Sequence, residues 1–115
     1  MARHKYETLE GKLHLLQVIL DSGWIESGET AKLQNLGIAF GDAMAQELGL
    51  EWVLVDDEYG RSPSLRFPGT TVIAFPRTMI SKRVERGDKV DVREMFRGIN
   101  ADLRMMSKNP DYQRH

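Results

Sequence analysis

The stretch Glu51–Asp91, EWVLVDDEYGRSPSLRFPGTTVIAFPRTMISKRVERGDKVD, decides how this chain folds. Its first part, Glu51 to Val55, is short and nearly all apolar, which predicts a strand buried on both faces at the centre of a sheet. Asp57 to Pro63, DEYGRSP, is a run of turn formers, and Leu65-Arg66-Phe67 reads as a short second strand. Pro68-Gly69 places Pro and Gly as the central pair of a type II turn. Thr70 to Phe75, TTVIAF, is rich in β-branched residues and predicts a third strand, completing a three-stranded antiparallel meander. Pro76 stops that strand and suits the first position of a helix from about Arg77 to Arg86, which turns Met79, Ile80 and Val84 inward and stops at Gly87.

Helical periodicity flanks this block on both sides. Tyr6, Leu9, Leu13, Leu16 and Leu20 recur at intervals of three and four, the stripe of an amphipathic helix that Ser22-Gly23 ends. Trp24 and Ile25, in the connection that follows, are expected to fold back onto the core, because burying a large aromatic gains about 2–3 kcal/mol. A second helix runs from Glu29 or Thr30 to Leu48 and turns Leu33, Leu36, Phe40, Met44 and Leu48 inward. Along it Gly37, Gly41 and Ala45 form a ridge without bulk. Glycine inside a helix costs roughly 1 kcal/mol relative to alanine, so two on one ridge predict another backbone lying close against it. Gly49 is placed as the C-cap.

After Asp91-Val92-Arg93-Glu94, which has the spacing of a capping box, a last helix buries Val92, Met95, Phe96, Ile99, Leu103 and Met106. Asn109-Pro110 ends it, and the termini are expected to fray. The prediction is an α+β fold of order α-α-β-β-β-α-α: two N-terminal helices, the meander, and two C-terminal helices in a single domain over 1–115.

Composition bounds the chemistry. The chain has 115 residues, 41% hydrophobic and 29% charged, the proportions of an ordinary soluble domain with one modest core. It has no Cys, so disulfides, thiol nucleophiles and thiolate metal sites are excluded. The apolar run LHLLQVIL, between Lys12 and Asp21, is too short for a membrane span and is not laid out as a signal peptide, and a cytoplasmic protein is expected.

The net charge of −1 hides an asymmetry. Glu7 to Glu58 holds eleven acids against two bases, whereas Tyr59 to His115 holds twelve bases against six acids. Either the halves attract each other within the fold, or the surface has an acidic and a basic side suited to an oppositely charged partner.

Motifs of catalysis are missing. His4 and His115 lie at the termini, and His14 lies beside the apolar stripe of the first helix without a second helical His to share a metal. There is no Gly-x-Ser-x-Gly elbow and no glycine-rich phosphate loop. The best local constellation is Asp56-Asp57-Glu58, where strand alternation would put Asp56 and Glu58 on one side. Two carboxylates there suit Mg²⁺, Ca²⁺ or acid–base work; equally, they suit capping a turn and pairing with Arg61, Arg66, Lys82 or Arg83. Asp42, inside the second helix beside Gly41, is either solvated or, if buried, in need of a cation such as Arg66, Lys82 or Arg83. Lys82, Arg83 and Arg86 cluster on the fourth element, and Arg93, Arg97, Arg104 and Lys108 follow one flank of the last helix. Interleaved Glu85, Asp88 and Glu94 and the absence of interleaved aromatics weigh against nucleic acid.

Three spaced segments carry a resemblance: LGIAFGDAMAQELGLEW, VDDEYGR and PGTTVIAFPRTMISKRVERGDKVDVREMF. Together they resemble a bacterial family, Domain of Unknown Function 3806, over roughly Trp24 to Met106. The resemblance implies no particular reaction and no cofactor. Of the family-like positions, Asp42, Glu58, Tyr59, Lys82, Arg83 and Glu85 are those that turns, caps and core do not account for.

The expected function is a non-catalytic protein-interaction domain whose partner is another protein. In its specific form it is an immunity protein that neutralises a cognate toxin or effector, which rests on fold-level analogy. The binding candidates are Asp42, Asp56, Asp57, Glu58, Tyr59, Arg61, Lys82, Arg83, Glu85, Arg93 and Arg97. Alternatives are a metal-assisted hydrolase or small-ligand domain using the 56–58 acids and, more weakly, nucleic-acid binding through the C-terminal bases.

Overall fold

The computed structural model describes residues 8–58 and 60–113. Within them the order is α1 (Leu9–Asp21), α2 (Thr30–Leu48), β1 (Glu51–Asp57), β2 (Gly60–Arg66), β3 (Ile73–Ala74), a 3₁₀ turn (Pro76–Thr78), α3 (Met79–Glu85), α4 (Val92–Ser107) and a last 3₁₀ turn (Pro110–Tyr112). This is the α-α-β-β-β-α-α order expected, and the three strands form an antiparallel sheet in sequence order. Tyr6, His4, Tyr59 and His115, named above, lie outside the described residues.

The helices bury the stripes their spacing marks out. Phe40 of α2 has no exposed surface and meets Phe96 of α4 edge-on, with ring centroids 6.0 Å apart. Leu33, Met44, Ile80 and Val92 fill the same core, with Leu13 and Leu16 of α1 and Leu65 of β2 around it. Thr8 caps α1, its hydroxyl accepting from the Gly11 amide, and Asp91 caps α4 by accepting from the Glu94 amide.

The glycine ridge of α2 has the role its spacing predicts. A methyl group on Gly37 would lie 2.5 Å from the carbonyl oxygens of Pro76 and Arg77. One on Gly41 would lie 2.7 Å from Pro76 Cγ and 2.8 Å from Trp52 Cη2. The turn after the sheet therefore docks directly on the α2 backbone.

Several expectations are corrected. β1 is an edge strand and largely exposed, because a meander places its second strand in the middle. Only two residues, Glu58 and Tyr59, separate the strands of the first hairpin, since Asp57 pairs with Gly60; Gly60 to Pro63 belong to β2. The Pro68-Gly69 turn forms, with Gly69 at φ 76° and the Thr70 amide donating to the Phe67 carbonyl. The third strand is only Ile73–Ala74, because Thr70 and Thr71 pair instead with the C-terminal tail. That tail is fixed rather than frayed as far as Gln113, whose side chain also donates to the Ser107 carbonyl.

Trp24 is 71% exposed. Gly23, at φ 75°, turns the chain so that the neighbouring Ile25 takes the inward place. Met106 is exposed as well, one turn beyond the last core residue of α4, Leu103.

The two charged halves do attract each other. Arg93 pairs with Glu10, and Arg104 with Glu47, each joining α4 to an N-terminal helix.

Candidate functional site

The residues singled out from the sequence fall in several places rather than one. At the end of the β1–β2 hairpin, Asp56 lies 3.4 Å from Arg61, its partner in the strand register, and both are mostly exposed. Glu58 lies in the turn, where strand alternation has ended, so it does not stand beside Asp56 as a second strand carboxylate. Glu85, at the end of α3, accepts from the Thr30 hydroxyl at 3.0 Å and ties α3 to the start of α2. Arg83 turns back to donate to the Met79 carbonyl at 2.8 Å, while Lys82 is exposed. Arg93 is held by Glu10, and Arg97 lines a shallow depression with Gln17, Asp21 and Lys89. No group of three or more His, Asp or Glu side chains among the described residues is arranged to hold a metal ion.

Asp42 is the exception, because the structure builds a site around it. It is exposed on α2, and its Oδ1 accepts the indole N–H of Trp52 at 2.9 Å. The partner foreseen for a buried Asp42 was a cation; the observed one is a tryptophan, and the carboxylate stays in solvent. Gly41 makes this possible, since a Cβ there would lie 2.8 Å from the edge of the indole, whose nitrogen reaches the next residue of the helix.

Beside this pair opens a groove of about 490 Å³, lined by Ile38 and Asp42 of α2, Trp52, Val53 and Leu54 of β1, and Pro63 of β2. Its walls are apolar apart from Asp42. Leu54 is 68% exposed and Trp52 37%, a large apolar area to leave in water at about 25 cal/mol per Å². On the other side of Asp42 a smaller hollow between α1 and α2 is lined by Lys12, Leu15, Leu16 and Ala39. Asp42 therefore stands in the middle of an apolar strip running from α1 across α2 to the hairpin. Lys12, in the same hollow, donates its ammonium to the Gln46 side chain at 2.8 Å. No cation pairs with Asp42 among the described residues.

Residues 12–96 match the family model described as Domain of unknown function (DUF3806). The chain belongs to this family. No curated protein and no solved structure matches significantly. The DUF3806 match begins inside α1, ends in α4, and encloses every residue that lines the groove.

A second cleft lies between α3 and α4, lined by Arg83, Lys89, Asp91, Glu94 and Asp102 with apolar Val90, Met95 and Ile99. It mixes both signs of charge, and one of its acids, Asp91, is already committed to capping α4.

Sequence reasoning missed two parts of the DUF3806 structure. Leu54 read as core, because an apolar strand residue carries no mark of whether a helix covers it. Gln17 carried no signal in the sequence, yet its amide donates to the Val90 carbonyl and to Asp21, and its oxygen accepts from the Val92 amide at 2.7 Å. That side chain clamps the loop that enters α4.

Proposed function

We propose that this DUF3806 chain is a non-catalytic protein-interaction domain whose partner docks on the groove between α2 and the first hairpin. The observation that carries this reading is the exposure of Leu54 and Trp52 around Asp42, whose charge pairs with no cation among the described residues. A central apolar anchor beside one fixed polar group is the anatomy of a binding hot spot. The specific form we favour is a cytoplasmic immunity protein that occludes a cognate toxin, which suits a small domain with no catalytic motif. No helix among the described residues is long and apolar enough to cross a membrane.

The hydrolase reading needs Asp56, Glu58 and Lys82 to act together, and no hydrogen bond or ion pair joins either acid to Lys82 among the described residues. The nucleic-acid reading loses Arg93 and Arg104 to internal partners.

The test is affinity capture from native lysate with the wild-type chain and with Leu54→Asp. A stoichiometric partner retained by the wild type and lost by the variant is the expected result. A partner held equally by both would overturn the placement on the groove.

A further inference from the structure

The free edge of β1 and the groove beside it form one surface. β1 is the outer strand of the sheet, and nothing among the described residues pairs with its far side. Which of its backbone groups face outward follows from Pro63. In an antiparallel ladder, hydrogen-bonded and non-hydrogen-bonded pairs alternate. Pro63 lies opposite Leu54 and has no N–H to give, so Leu54–Pro63 is a non-hydrogen-bonded pair. Trp52 and Asp56, two residues away on either side, share that parity. The amides and carbonyls of Trp52, Leu54 and Asp56 therefore point out from the open edge. Side chains alternate with the same period, so these three residues also share a face, and two of them line the groove.

Resting on the interaction reading above, we propose that the partner is bound as an extended segment that adds a strand to the edge of β1, and that this segment is basic as well as apolar. Natural sheet edges are commonly blocked by charged side chains, proline or a bulge. β1, EWVLVDD, keeps its charges at its two ends and leaves Trp52 to Val55 uncharged, without proline and in unbroken register with β2. An added strand gains main-chain hydrogen bonds from the edge and seats alternate side chains in the groove.

Charge selects the occupant. On β1, Glu51 pairs with Arg66 and Asp56 with Arg61 of β2, whereas Asp42 overlooks the groove with no paired cation among the described residues. A side chain of the added strand opposite Trp52 lies on the face where Trp52 meets Asp42, and the next on that face meets Leu54. The segment that fits carries a base, then any residue, then an apolar residue. A second copy of β1, EWVLVDD, would bring no base to set against Asp42.

The experiment uses the full chain and a synthetic decapeptide containing Lys-Thr-Val-Thr-Lys, with a Glu-Thr-Val-Thr-Glu peptide as control. The lysine peptide is expected to bind and to protect the amides of Trp52, Leu54 and Asp56 from hydrogen exchange. The glutamate peptide should bind at least about tenfold more weakly. Leu54→Pro removes one outward amide without touching the β1–β2 hydrogen bonds, and proline is tolerated on such an edge. It should weaken the lysine peptide by at least about tenfold relative to Leu54→Ala, with both variants confirmed folded by circular dichroism. No binding of the lysine peptide at millimolar concentration, or binding without protection of the three amides, overturns the proposal. So does an unliganded dimer that Leu54→Pro dissociates, since a second copy would then own the edge. A lysate partner kept by Leu54→Pro but lost by Leu54→Asp would overturn strand addition alone and leave the groove as the docking site.

Discussion

Gly37 of α2 lies so close to Arg77 that a single methyl group on it would come within 2.5 Å of the Arg77 carbonyl oxygen. The obstacle is backbone on both sides, so neither can yield without moving a whole element. Gly37→Ala is therefore expected to destabilise the fold by about 1–3 kcal/mol, although alanine favours an isolated helix by roughly 1 kcal/mol. Gly98 in α4 provides the opposite case, because nothing lies within 4 Å of the position its methyl would take. Gly98→Ala should stabilise by about 0.5–1 kcal/mol. Urea unfolding of the two variants measures both, and equal shifts would show that the close approach at Gly37 is absent.

Trp52 and Asp42 separate a structural from a binding role. Asp42→Asn retains an oxygen to accept from the indole but loses the charge. Its stability should stay within about 0.5 kcal/mol of wild type, while capture of a basic partner weakens and becomes less sensitive to salt. Trp52→Phe keeps most of the ring and loses the donor, so it should cost about 0.5–1.5 kcal/mol of stability. Thermal melts combined with titrations at two salt concentrations resolve these effects.

Asn100 sits on the core face of α4, only 3% exposed, and neither atom of its amide has a partner among the described residues. Burying such a group without hydrogen bonds costs about 1–3 kcal/mol. Asn100→Leu, which keeps the same branched heavy-atom skeleton without the polar atoms, is expected to raise the unfolding free energy by about 1–2 kcal/mol. A fall in stability would mean that the amide is satisfied in solution.

Gln17 holds the entry to α4 through bonds to Val90 and Val92. Val92 is completely buried, so its amide has no ready access to water if the glutamine is lost. Gln17→Leu should cost about 1–3 kcal/mol and speed hydrogen exchange at Val92 more than at mid-helix amides such as Phe96.

Helices and turns were legible because their signals are local. The Leu9, Leu13 and Leu16 stripe, the Pro68-Gly69 turn and the Asp91 cap each state their role within a few residues. The glycine ridge on α2 even announced a long-range contact, since glycine there makes sense only if something lies against it. What was not legible depends on what covers a residue. Val53 and Leu54 look alike in sequence, but they face opposite sides of the strand, and Val53 is half-buried while Leu54 is left 68% exposed. Trp24 failed for a similar reason: two adjacent apolar residues after a turn compete for one inward direction, and Ile25 took it. Of the site, Asp42 was legible as an oddity, but its pairing with Trp52 depends on how α2 and β1 meet in space.

The notch at Gly41 receives two rings at once, the indole of Trp52 from the first hairpin and the pyrrolidine of Pro76 from the turn that begins α3. Neither ring can slide without displacing the other or lifting the helix. A load placed on the hairpin by a bound strand is thus shared with the Pro76–Thr78 turn and carried into the helical body. The least covered strand of the molecule is anchored at one of its most tightly packed points.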